Sequence, residues 1–156
     1  MTKSEKALKL SDQGFNCAQS VFGVFAAEGG VDEKTALRLS CAFGGGMART
    51  GGICGAVTGA MMAIGLKYGM DTPETVDKKA KTYEITQKFY DEFIALHGTL
   101  VCRELIGFDI GNPEKLNIQP GSPEWKAKMK QTHDEICSKL IADTVKIVER
   151  LLQDPR

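Results

Sequence analysis

Apolar positions recur at steps of three and four along nearly the whole chain, and no stretch alternates in the two-residue rhythm of a half-buried strand. Val76, Ala80, Tyr83, Gln87, Tyr90 and Ile94 mark one stripe, closed by Gly98. Thr72-Pro73-Glu74 ahead of it predicts the helix start, with a cap, a proline at the first position and an acid in the first turn. Leu140, Ile141, Thr144, Val148 and Leu151 mark the stripe of the last helix, which opens at Ser122-Pro123-Glu124 with a second start at Thr132 and Glu135.

Between these stripes the punctuation is regular. A short helix over 4–12 ends at Gly14, and Asn16 caps one running to about Ala27. Gly29-Gly30 is a turn, and Asp32 caps a helix that enters a glycine loop at Gly44. A helix from near Ile53 to Tyr68 stops at Gly69, Thr99 caps a short one through LVCRELIG, and 107–121 reads as the one long loop. The expectation is an all-α single domain over residues 1–156, a bundle of about six to eight helices with a glycine-rich loop before the central helix. Phe22, Phe25, Phe89, Tyr90 and Phe93 are assigned to its core, and Trp125 packs its own helix on the body.

Composition changes this picture little. The 156 residues are 42% hydrophobic and 26% charged, and twenty basic residues balance twenty acidic ones. The balance argues against a nucleic-acid partner, which favours a basic face. The longest apolar run, 53–66, falls short of the roughly twenty residues a bilayer span needs. MTKSEKALKL carries no secretory pattern, so the expected location is the cytoplasm.

The glycines raise a sharper question. GGGMARTGGICGAVTG, residues 44–59, holds seven glycines around Cys54. Each costs about 0.5–1 kcal/mol against alanine in regular structure. Within the following helix Gly55, Gly59 and Gly65 with Ala56, Ala60 and Ala63 form a small-residue surface for a close helix crossing, within the chain or between two copies in a homodimer.

Five cysteines lie at 17, 41, 54, 102 and 137, with no Cys-x-x-Cys pair. An odd count in a reducing compartment argues against a disulfide framework. Cys17, Cys54 and Cys102 fall in the first turns of expected helices, where free N–H groups and the dipole favour thiolate. Cys137 lies on the inner stripe of the last helix. Converging helix tips would stabilise an anionic centre, and glycines at 45, 46, 52 and 55 would let backbone N–H groups reach sulfur or a bound group. On spacing alone, buried free thiols and a plain turn are the more ordinary account.

The order Cys17, then Cys54-Gly55-Ala56-Val57-Thr58-Gly59, then Cys102, then Cys137 resembles the redox-active protein family C_GCAxxG_C_C, named for its cysteines. The resemblance runs from GFNCAQSVF through FGGGMARTGGICGAVTGA and VCREL to the final helix. The family label writes the central element Gly-Cys-Ala-x-x-Gly where this chain reads Cys-Gly-Ala-x-x-Gly, and Cys41 stands outside the four, with a packing role. The resemblance implies a small helical protein with four functional cysteines and a redox role.

Three chemistries suit those residues. Cys17, Cys54, Cys102 and Cys137 could hold an iron–sulfur centre, tuned by N–H groups of helix starts and glycines. The same four, or a set including His133 four residues before Cys137, could hold zinc in a structural module. Thiol–disulfide chemistry could use Cys54 as nucleophile and Cys17 as its pair, with Arg49 as a neighbouring cation. Ordinary solvation is the simpler role for Arg49 and His133, and stabilising a helix end as a cation the simpler one for His97. The first chemistry is favoured, in a carrier or accessory protein serving an unidentified redox partner rather than a self-contained enzyme. No Gly-Lys-Ser/Thr phosphate loop is present, and a Ser–His–Asp hydrolase cannot be argued from the sequence.

Overall fold

The computed structural model describes residues 1–154. They form an all-α domain without a strand, apart from one isolated antiparallel bridge between Ile53 and Val101. Helix α1 (Lys3–Asp12) starts in a reciprocal capping box between Thr2 and Glu5. Asn16 builds the same device with Gln19 ahead of α2 (Cys17–Gly23), and Asp32 caps α3 (Glu33–Ser40). Then come the central helix α4 (Gly55–Tyr68), α5 (Val76–His97), α6 (Cys102–Ile106), α7 (Pro123–Thr132) and α8 (Ser138–Gln153).

Helix α4 is apolar on every side because it is surrounded: α2, α5 and α8 all pack on it, and α1 closes over α2 and α8. The small-residue surface is used inside the chain. A Cβ at Gly59 would lie 2.8 Å from the Ala18 carbonyl oxygen and 2.9 Å from Val21 Cβ, so α2 crosses α4 almost backbone to backbone. Gly65 faces open space. The stripe of α8 is buried as expected, with Ile141, Thr144, Val148 and Leu151 all under 2% exposed.

Several expectations need correction. Helix α5 begins at Val76, not after Thr72, because Thr72–Thr75 closes into a turn whose Thr75 N–H and hydroxyl both bond the Thr72 carbonyl. The stripe assigned to it is its outer face: Val76, Tyr83 and Ile94 are exposed, while Ile85, Phe89 and Phe93 reach the core. The helix carries two apolar stripes, and the one with the two phenylalanines is buried, while Tyr90 at its border is half-buried with its O–H on Met61 Sδ. Helices α2 and α3 end at Gly23 and Ser40, passing into short 3-10 turns at Ala26–Gly29 and Cys41–Phe43. Pro113–Leu116 forms another within the 107–121 loop. The backbone does not restart at Thr132; it stays helical and widens into a π-turn, His133–Cys137, joining α7 to α8.

Candidate redox site

The glycine loop is a left-handed turn. Gly45, Gly46, Met47, Ala48 and Arg49 all have φ between +54° and +69°. For the three that are not glycine, this region costs about 1–2 kcal/mol each. The turn lets the chain double back. Gly51 and Gly52 donate to the carbonyls of Gly45 and Gly46 at 3.2 and 2.8 Å. Gly46 cannot carry a side chain, because its Cβ would lie 2.6 Å from Gly52 N and 2.7 Å from Cys102 Cβ.

From there, 51–54 pairs antiparallel with 100–103. Cys102 N–H donates to the Gly52 carbonyl at 2.6 Å, and Cys54 N–H donates to that of Leu100 at 2.8 Å. The pairing sets Cys54, the N-cap of α4, beside Cys102, the first residue of α6. Gly55 brings the third thiol in: its Cβ would stand 3.0 Å from Cys17 Cβ at the start of α2. Asn16 fixes this corner by capping α2, donating to the Cys41 carbonyl at 2.8 Å and lying flat on Gly44. The π-turn supplies Cys137.

All five cysteines line one cavity of about 540 Å³, a size typical of small-molecule sites. Its lining also includes the apolar side chains of Phe15, Ile106, Ile110 and Met129. Gly45 and Gly55 lie on the cavity wall, whereas Gly46 and Gly52 stand behind it and frame Cys102. Cys41, assigned a packing role from sequence, is exposed at the cavity's edge, as is Arg49.

The Cys17 S–H donates to Cys137. That bond, then burial and the other sulfurs, raises the Cys17 pKa well above the ordinary thiol value; the same bond lowers that of Cys137 against its burial. Burial pushes Cys54 up to about 11, although the N–H groups of Val57 and Ala56 face its sulfur and oppose the shift. Cys102 rises to about 12 through burial and the neighbouring sulfurs. Desolvation therefore outweighs the helix termini, and Cys137, off any helix start, is the thiol that ionises first.

The model of the family described as "Putative redox-active protein (C_GCAxxG_C_C)" matches residues 15–151. The chain belongs to this family. Comparison with curated proteins and with solved structures gives no match. All five cavity thiols lie within the matched residues, and Cys54-Gly55-Ala56-Val57-Thr58-Gly59 forms the N-cap and first turn of α4.

A single metal ion does not fit this arrangement as it stands. Among the described residues no group of three or more His, Cys, Asp and Glu side chains is placed to hold one. Four thiolates around one zinc lie only about 3.8 Å from each other, given bonds near 2.3 Å. A cluster divides the same thiolates between two or more irons and needs them further apart, around a larger space.

Sequence reasoning missed two features here. His133 Nε2 lies 2.5 Å from Ser11 Oγ, and its Nδ1 lies 2.9 Å from Asp134 Oδ1. Nothing in the local pattern pairs residues 122 positions apart. His97 is buried against Phe93 with Nε2 3.2 Å from Asp143 Oδ2, and burial, outweighing that carboxylate, lowers its pKa and so disfavours the cation expected there.

Proposed function

We propose that this redox-active protein works through an iron–sulfur centre held in the cavity by Cys17, Cys54, Cys102 and Cys137. The observation that carries the reading is the gathering of four sequence-distant thiols from α2, α4, α6 and the π-turn around one space. Such a centre supplies one-electron chemistry when bound. The chain's own residues do the rest. Gly45 and Gly55 keep the wall free of Cβ atoms, the apolar lining excludes water, and the N–H groups of Ala56 and Val57 lie toward the Cys54 sulfur, where they favour its charged form. Ligation would also offset what holds these thiols protonated, the bond to Cys137 at Cys17 and burial at Cys102.

A second reading follows from the S–H···S contact: Cys17 and Cys137 as a dithiol that closes to a disulfide. In either case the electrons come from, or go to, a partner protein, and the chain acts as a carrier or accessory in the reducing cytoplasm. Among the described residues no helix is long and apolar enough to cross a membrane.

Purification without oxygen, followed by metal analysis and visible absorption, separates the readings. Brown protein with charge-transfer bands, lost in Cys→Ser variants at 17, 54, 102 or 137 but kept in Cys41→Ser, supports the cluster. Colourless iron-free protein that cycles between thiol and a Cys17–Cys137 disulfide replaces it with the dithiol. Stoichiometric zinc without redox cycling sinks both.

A further inference from the structure

Whichever of these redox readings holds, the cavity thiols must shed protons, and they are buried. Cys54 is 3% and Cys102 8% exposed, so bulk water does not reach these sulfurs freely. Ligation and disulfide formation both require the proton to leave. The cavity wall offers one side chain besides sulfur of a type that accepts and returns protons near neutral pH, His133.

Its surroundings form a chain of hydrogen bonds from the cavity to solvent. Asp134 is exposed, accepts from His133 Nδ1–H at 2.9 Å, and is held by Lys130 at 2.6 Å. With Nδ1–H spent on Asp134, Nε2 is the acceptor, and the Ser11 hydroxyl donates to it. Ser11 is 7% exposed and lines the cavity. Several helical hydroxyls turn back on their own helix: Ser40, Thr82, Thr132 and Ser138 each donate to the carbonyl four residues earlier, whereas Ser4 reaches only a backbone carbonyl of another helix. Ser11 instead reaches across to a histidine on another element. That histidine shares the π-turn with Cys137, and such turns gather at functional sites.

We propose that Ser11, His133 and Asp134 form the proton relay of the thiol cavity, carrying protons between its sulfurs and solvent whenever the cysteines change redox or ligation state. The inference rests on the reading that the thiols act as thiolates. Ser11 lies outside the residues that the family model matches. The charged groups around the ring are Asp134, Lys130 on Asp134, Asp12 of α1 toward Lys130, and, across the cavity, Arg49 and the thiols.

The test uses reduced, metal-free full-length protein carrying Cys41→Ser and an aromatic disulfide, dithiodipyridine. Cys137 passes its proton through Ser11 to His133, and its sulfur attacks one sulfur of the probe. The probe S–S bond breaks and a thiopyridone anion leaves, taking up a proton. Cys17 then loses its proton by the same route and attacks the Cys137 sulfur of the mixed disulfide, releasing the second thiopyridone. Two cysteine thiols are oxidised by two electrons, the probe is reduced by two, and both protons end on the leaving groups.

His133→Ala is expected to slow the first step on the order of 100-fold, the lower end for a positioned acid–base group. Added imidazole should restore the rate in proportion to its concentration. Ser11→Ala should slow it without rescue, and Ser11→Thr should keep most of the rate. Wild-type rates in His133→Ala and Ser11→Ala overturn the relay. So does a slow His133→Ala that keeps its circular dichroism and ignores imidazole, since a merely structural histidine behaves that way. A failure of the redox reading looks different: wild-type protein stops at mixed disulfides and takes up no cluster, while the first-step rates still decide the relay.

Discussion

Two glycines on one helix should respond to the same substitution with opposite signs. Gly59 and Gly65 both lie within α4, so replacing either by alanine removes about 0.5–1 kcal/mol of helix penalty. At Gly65 the new methyl meets open space. Gly65→Ala should therefore stabilise by that amount and raise Tm by about 1–4 °C, at roughly 2–4 °C per kcal/mol for a chain of this size. At Gly59 the methyl would stand 2.8 Å from the Ala18 carbonyl oxygen and 2.9 Å from Val21 Cβ. Neither atom is the tip of a flexible side chain, so the α2 backbone itself must retreat. Overpacking of this kind costs about 1–3 kcal/mol, which exceeds the propensity gain and leaves a net loss of about 1–2 kcal/mol. Thermal unfolding followed by far-ultraviolet circular dichroism should show Gly59→Ala melting several degrees below wild type. A Gly59→Ala protein that melts at or above the wild-type temperature would refute the backbone-to-backbone crossing, and with it the placement of Cys17 against Gly55.

The buried face of α5 is open to a similar contrast. Phe89→Ala should cost about 3–5 kcal/mol in urea unfolding, whereas Tyr83→Ala should stay within about 0.5 kcal/mol. The reverse order would return the helix to the face its sequence stripe suggests. In the metal-free protein, Cys17→Ala removes the S–H donor that lowers the Cys137 pKa. Iodoacetamide labelling of Cys137, read by mass at about pH 8.5 where an ordinary thiol is half ionised, should then slow several-fold, and an unchanged rate counts against the pair. His97 is held below its ordinary 6.5 by burial, so the folded protein binds fewer protons there than the unfolded chain. Stability from this group is complete above about pH 6.5 and falls as the pH drops below it, until the native ring also protonates. His97→Gln should flatten that acid-side slope in urea midpoints, and an unaltered slope removes His97 as its source.

The helices were legible because caps and periodicity are local. Asn16, Asp32 and Ser122 sit where their side chains close on N–H groups three residues ahead, and any such spacing can be read from a string. The choice between two stripes on α5 was not local, because it depends on where α4 and α8 stand. The order of the cysteines likewise pointed to one site, but their electrostatics could not be read. A helix start argues for thiolate, yet Cys54 and Cys102 titrate upward because several sulfurs share one desolvated space. The Ser11–His133 contact had no signature at all, because it joins the last turn of α1 to the π-turn 122 residues away.

The left-handed turn explains why one loop holds so many glycines and yet is not all glycine. Met47, Ala48 and Arg49 together cost about 3–6 kcal/mol in a backbone region they disfavour. Several bonds offset that strain: the Thr50 hydroxyl on the Gly46 carbonyl at 2.7 Å, the Gly51 and Gly52 N–H groups on the turn, and the pairing of 51–54 with 100–103. Every one of these bonds also fixes the distance between Cys54 and Cys102. Relaxing the turn would leave α4 and α6 intact as helices but free their two thiols from each other. Glycine is required at Gly46, where Cys102 and the returning segment leave no room, whereas the residues that follow it are held by the fold they complete. Local strain is thus coupled directly to the geometry of the thiol pair, which is why the loop, rather than any helix, sets the shape of the cavity.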